Sequence, residues 1–224
     1  MPLQGYGAVP LPGGDGADVP CTLADGSDAR GGSGWVGSHD RAHLGATFER
    51  MFVLGIDPGL SRCGYGLVAR MPGSSELRAC AAGVIETDPR DPLPTRLLQA
   101  QRALDVLFEE LSPSAAAVER VFFQVNARTA VSVCQVSGLA LAAAAAHGCE
   151  VAEYSANEVK QALVGYGSAT KRQVQQMVAS VLGLADAPRP PDVADALALA
   201  MCHLAIAPVR AAIRSASGVV GRAS

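Results

Sequence analysis

From Phe52 to Ile56 the chain reads Phe-Val-Leu-Gly-Ile, with no polar side chain, and Asp57-Pro58-Gly59 follows at once. A short apolar run of this kind reads as a strand covered on both faces. Pro58 biases Asp57 towards an extended backbone, and Gly59 permits the tight turn that comes next. A chain built on such a strand needs a sheet with layers on both sides, and it delivers one carboxylate to the strand's mouth. A charge in that position is costly unless something positive sits beside it. The expectation is a divalent metal, which requires partner carboxylates elsewhere in the chain.

The segments downstream supply the sheet. Gly64–Arg70 and Leu77–Glu86 read as second and third strands with short links, an antiparallel meander. Pro94–Leu111 changes period: Leu97, Leu98, Leu104, Leu107, Phe108 and Leu111 recur at helical spacing. Ala115–Val121 is a fourth strand, apolar until Glu119. A long helix capped by Asn126 runs to about His147 and stops at Gly148. Glu150–Tyr154 is a fifth strand. Ser155 or Asn157 opens a helix carrying Val159 and Leu163, the turn Gly165-Tyr166-Gly167-Ser168 follows, and Lys171–Leu182 is helical again. The last helix is expected over Asp192–Ala207, ended by Pro208. This order fits an α/β fold of ribonuclease-H-like type, a five-stranded mixed sheet flanked by helices.

Residues 1–50 behave differently. They hold 11 of the 24 glycines and four of the 14 prolines, with few large aliphatics, and cannot bury enough apolar surface to offset chain entropy. The expected organisation is a disordered extension over 1–50, a catalytic domain over 51–208 and a flexible tail over 209–224. Met51, directly before the first strand, is a candidate translation start. Six of the 21 acids and three of the 18 bases fall in residues 1–50, so residues 51–224 carry fifteen of each. Net charge therefore gives no sign of nucleic-acid binding, and any such site must come from local clustering. The six cysteines and four histidines show no C-x-x-C and no zinc spacing. The Ala-rich run Leu139–Ala146 is too short to cross a bilayer, and the N-terminus lacks a signal-peptide pattern. No membrane association is expected, and the cytoplasm is the default location.

Four carboxylates carry the chemistry. Asp57 and Glu119 each end an apolar strand, while Asp192 and Asp195 lie three apart at the start of an apolar helix and project from one face. Each has an ordinary explanation by itself: a strand-end acid pairs with Arg120 or Arg128, and acids near a helix N-terminus suit its dipole. Together they do not. Two carboxylates about 4 Å apart at an effective dielectric of ~20 repel by roughly 4 kcal/mol, which demands protonation or bound cations. Oxygen-only ligands suit Mg²⁺ or Mn²⁺. A pair of such ions ~4 Å apart activates a water and stabilises the leaving oxygen in phosphodiester hydrolysis.

Several segments also resemble a known family. Gly55-Ile56-Asp57-Pro58-Gly59 with Gly64-Tyr65-Gly66, Val118-Glu119-Arg120-Val121-Phe122, Val159-Lys160-Gln161, Gly165 to Lys171, and Asp192-Val193-Ala194-Asp195-Ala196-Leu197-Ala198 are similar, in order, to the RuvC family of Holliday junction resolvases. The resemblance covers about residues 51–208. It implies a homodimeric, Mg²⁺-dependent endonuclease with two ions per site, Mn²⁺ substituting, that nicks two strands of like polarity across four-way junction DNA during recombination and repair. It implies work alongside the RuvA and RuvB branch-migration proteins and a preference for a short T-rich sequence. Its metal-binding acids map onto Asp57, Glu119, Asp192 and Asp195; the Asp192 position is His in some members. Phe122 takes the position of an aromatic wedge that stacks on unpaired bases.

The basic residues add a DNA surface. Lys160 and Lys171 are the only lysines in the chain, and both flank the Gly-rich turn with Arg172. Surface solvation is the ordinary reading of such residues, but here phosphate contact is expected, and Lys171 also offsets transition-state charge. Arg128 is a further phosphate candidate. Small residues on more than one face of the long helix point to a dimer interface. Two other classes compete. A sugar-kinase or actin-like ATPase shares the strand-end Asp-x-Gly loop, but the chain has no P-loop and no second phosphate loop. A non-catalytic junction-binding module would have no need for all four acids.

Overall fold

The computed structural model describes residues 51–71, 73–121 and 127–220. Five strands form one sheet: β1 (Phe52–Asp57), β2 (Arg62–Arg70), β3 (Leu77–Glu86), β4 (Ala115–Glu119) and β5 (Glu150–Tyr154), in the order β3-β2-β1-β4-β5. The first three pair antiparallel and the last three parallel, so the sheet is mixed and β1 lies at its centre. Helix α1 (Leu93–Leu111) connects β3 to β4, and α2 (Ala127–Ala146) connects β4 to β5. Three more helices follow: α3 (Ala156–Val164), α4 (Lys171–Val181) and α5 (Pro191–Val220). The expected boundaries hold to within a few residues, β4 ending at Glu119 rather than Val121, except at the far end of α5. The proposed Asn126 cap lies outside the described residues.

Strand alternation divides the core. Leu54, Ile56, Ala116 and Val118 point to one side, where they pack with Leu104 and Phe108 of α1 and Val136, Ala140 and Ala144 of α2. Val53, Ala115 and Ala117 point to the other, against Val193, Leu197, Ala200 and Leu204 of α5 and Val174 and Val178 of α4. Gly55 shares that second face. A Cβ there would stand 1.9 Å from the Ala196 carbonyl oxygen and 2.8 Å from the Ala200 amide nitrogen. Only glycine lets α5 lie so close to the central strand.

Helix α5 corrects the expectation at its far end. Pro208 does not stop it; the helix continues to Val220, through part of the segment expected to be loose. Pro208 has no N–H to offer the Leu204 carbonyl one turn back, and the Arg70 guanidinium donates to that carbonyl instead. The substitute donor comes from the end of β2, far away in sequence. Because the helix runs on, Pro191–Ile213 is long and apolar enough to cross a bilayer by length and composition. Its buried face, from Val193 to Leu204, is nevertheless part of the core over the sheet.

Candidate active site

The same alternation that places Val53 and Gly55 under α5 carries Asp57 to that face, and Ala115 and Ala117 do the same for Glu119. Ile56 pairs with Val118 across the parallel β1/β4 ladder, so the two acids emerge side by side at the strand ends. Helix α5 brings the other pair. Gly64, opposite Asp57 in the antiparallel register, would carry a Cβ 2.2 Å from the Asp192 carbonyl oxygen. Its absence seats the first turn of α5 over the mouth of β1.

The acids feel one another. Burial, reinforced by the charge of Glu119, a hydrogen bond with it, and the charges of Asp195 and Asp192, pushes the Asp57 carboxyl up to about 8. Lys171 answers part of this charge, with its Nζ 2.5 Å from Asp195 Oδ2. Burial alone would favour a neutral amine, but the bond to Asp195 and the charges of Asp195, Asp57 and Asp192 outweigh it, so the ammonium is held above the usual lysine range.

Local structure explains why Lys171 is there. Thr170 caps α4, accepting from the Gln173 amide, and Gln173 reaches back to the Thr170 amide, a reciprocal capping box. This fixes Lys171 as the first helical residue, where the helix dipole disfavours a cation. The carboxylates facing it offset that cost. Ser155 and Glu158 form the matching box at the start of α3, which presents Lys160.

Asp57, Glu119, Asp195, Lys171 and Lys160 line one open cleft of about 370 Å³, floored by Val159, Val174, Ala198 and Leu199. Asp192 turns aside. Its Oδ2 lies 3.0 Å from the Arg62 guanidinium, which also approaches Glu86 at 4.0 Å. Among the described residues no three His, Cys, Asp or Glu side chains stand grouped as a ready metal shell. Two basic side chains each pair with one α5 carboxylate, Arg62 with Asp192 and Lys171 with Asp195. The donor set still fits a hard divalent cation: it is all oxygen, and burial together with the negative charge around it raises the Asp57 carboxyl, which a bound cation would offset.

Of the other expected residues, Arg172 is exposed on α4 and does not line the cleft. Phe122 lies outside the described residues, and of Arg128 only the backbone is described, in the first turn of α2. Arg62 was not anticipated. It sits just past the β1 turn, and nothing in the sequence reveals its pairing until β2 is folded back along β1. Among the described residues, Cys63, Cys134, Cys149 and Cys202 are free thiols.

Comparison with known proteins shows the family. The family profile described as crossover junction endodeoxyribonuclease RuvC matches residues 53–203. A protein of that name from Syntrophomonas wolfei is 49% identical over 154 residues, covering 69% of this chain and 88% of the relative. Another from Leifsonia xyli is 51% identical over 172 residues, covering 76% and 81%. Among solved structures, Thermus thermophilus RuvC superposes with a TM-score of 0.67 at 38% identity, covering 71% of this chain and 96% of that one; the same holds for its complex with Holliday junction substrate. The yeast mitochondrial Holliday junction resolvase Ydc2 shares the fold at 15% identity, with a TM-score of 0.51.

Proposed function

Because this chain belongs to the RuvC family of crossover junction endodeoxyribonucleases, we propose that its carboxylate cleft hydrolyses phosphodiesters at Holliday junctions. The observation that supports this most is that Asp57, Glu119 and Asp195 line one open cleft with Lys171, an all-oxygen acidic donor set that suits a metal dication. The reaction adds water to phosphorus and breaks one ester P–O bond. Nuclease chemistry in this family depends on divalent metal. The finer assignment is Mg²⁺, two ions per site with Mn²⁺ able to substitute, supplying water activation and stabilisation of the leaving oxygen when bound.

The protein's own residues do the rest. Asp57, Glu119 and Asp195 would hold the metal from the cleft, with Asp192 as a further ligand. Lys171 would offset the charge that grows on the scissile phosphate. Lys160, at the rim, and Arg172, on the exposed face of α4, contact flanking phosphates. Phe122 stacks on an unpaired base, and Arg128 steers a phosphate. The working nuclease is the unit within 51–208, supported by a family match over 53–203, with 1–50 as an extension and α5 running on past that unit to Val220. It acts as a homodimer through α2, nicks two strands of like polarity, and works beside RuvA and RuvB in the cytoplasm.

The test is incubation of the purified protein with a synthetic four-way junction and with linear duplex, with and without Mg²⁺. Symmetric nicks in the junction, dependent on Mg²⁺ and sparse in duplex, are expected. Asp57→Asn and Glu119→Gln should bind the junction without cutting it. An Asp57→Asn protein that cuts at the wild-type rate would leave only a junction-binding role.

A further inference from the structure

The turn between α3 and α4 carries an aromatic side chain that the reading above does not use. Tyr166 is 44% exposed, the only exposed aromatic residue among the described residues. Exposed tyrosines are ordinarily free to sample several rotamers. This one is held. Gln173 Nε2 donates to its hydroxyl at 2.8 Å, while the Oε1 of the same amide closes the capping box on Thr170. The backbone around it is fixed too. Gly165 ends α3 at a φ of 89° and donates to the Gln161 carbonyl, and Gln161 Nε2 returns a bond to the Gly165 carbonyl at 2.8 Å. Gly167 packs so closely on α3 that a Cβ would meet Asn157 Oδ1 at 2.0 Å.

The position of the ring matters as much as its rigidity. The turn joins two helices that both line the cleft, α3 through Val159 and Lys160 and α4 through Lys171 and Val174. Tyr166 lies outside that lining, and Arg172 on α4 is exposed. A fixed aromatic side chain is thus set between the two helices that bring the lysines to the site. Stacking on such a surface is tolerant of base identity, because every base has a π-face. Holding the ring in advance removes the ordering cost that a mobile side chain pays on binding.

We propose that Tyr166 is a DNA-contacting residue that stacks on a nucleobase of the junction beside the cleaved phosphate, held in position for this by Gln173. The inference rests on the junction-cleaving reading. It separates two elements of recognition: the lysines and arginine take backbone charge, and Tyr166 takes a base exposed where the duplex arms part.

The experiment uses the full-length protein and a four-way junction carrying 2-aminopurine at its central nucleotides, with Ca²⁺ in place of Mg²⁺ to prevent cutting. Wild type should quench the probe, and Tyr166→Ala should lose that quench and bind on the order of tenfold more weakly. Tyr166→Phe, which keeps the ring but loses the hydroxyl that Gln173 holds, should keep the quench with a smaller loss of affinity than alanine, while Tyr166→Leu, similar in bulk but without a π-face, should behave like alanine. Thermal melting of each variant checks the fold. Wild-type quench and affinity in Tyr166→Ala would overturn the proposal, as would a leucine variant equal to the phenylalanine variant. A wild-type protein that fails to bind the junction at all would instead overturn the junction-cleaving reading.

Discussion

The two faces of the sheet are built from the same strands, one residue out of phase, and they have opposite characters. Towards α1 and α2, Leu54, Ile56, Ala116 and Val118 are fully buried among aliphatic and aromatic side chains. Towards α5, the intervening residues are Val53, Gly55 and Asp57 on one strand and Ala115, Ala117 and Glu119 on the next. Side chains on that face become small, and the last one in each strand is an acid. The first face gains stability from apolar area removed from water. The second gives up part of that area so that a helix can come close enough to set its own carboxylates over the strand ends. What distinguishes the framework from the site is strand parity combined with the size of the residues under α5.

Substitutions on either face sharpen this contrast. The largest effect belongs to the acid face: Asp57→Asn should lower junction cleavage by on the order of a thousandfold or more, while raising the melting temperature of the metal-free protein, because a crowded carboxyl is removed. On the framework face, Leu54→Ala should show the reverse pattern. It should cost about 3 kcal/mol in urea unfolding and leave cleavage per folded molecule near wild type. Cleavage lost in proportion to neither unfolding nor folded fraction would blur the division between the faces.

Lys171→Met comes next, with an expected loss on the order of a hundredfold in kcat and little change in junction affinity measured by gel shift. A smaller effect concerns pH. Asp57 titrates at about 8 in the fold, against an ordinary value of 3.8. Between those values the folded protein holds a proton that the unfolded chain has released. Its contribution to stability is complete below about pH 4 and is lost as pH rises towards 8. The metal-free protein should therefore melt at lower temperature at pH 8 than at pH 6. Asp57→Asn should flatten that slope, and Mg²⁺ should restore wild type at the alkaline end by a few degrees.

Much of this contrast can be read from the chain. The apolar run before Asp57, the helical period from Leu97 to Leu111 and the S-x-x-E and T-x-x-Q caps at Ser155 and Thr170 are local signals, and the elements they announce are present. The four acids were visible as strand-end and helix-start residues. Their convergence was expected, but what brings Asp57, Glu119 and Asp195 to one cleft while Asp192 pairs with Arg62 depends on the β1/β4 register and on how near α5 can lie to Gly55 and Gly64, which no local pattern shows. Two features escaped for the same reason. Pro208 looks like a helix stop only while the Arg70 guanidinium that serves the Leu204 carbonyl is out of view. Arg62 looks like a turn residue until the fold places Asp192 above it. Long-range partners decided both cases, and no local pattern encodes them.

The account turns on a carboxyl whose affinity for its proton is raised by burial and by its neighbours, a proton that a bound metal would replace. Titrating Mg²⁺ into the protein calorimetrically at pH 7, in buffers of different ionisation enthalpy, counts the protons released per site. About one is expected for wild type and none for Asp57→Asn, since ligand carboxyls must ionise to bind metal. Mg²⁺ binding by wild type with no proton released, or no Mg²⁺ binding at all, would contradict it.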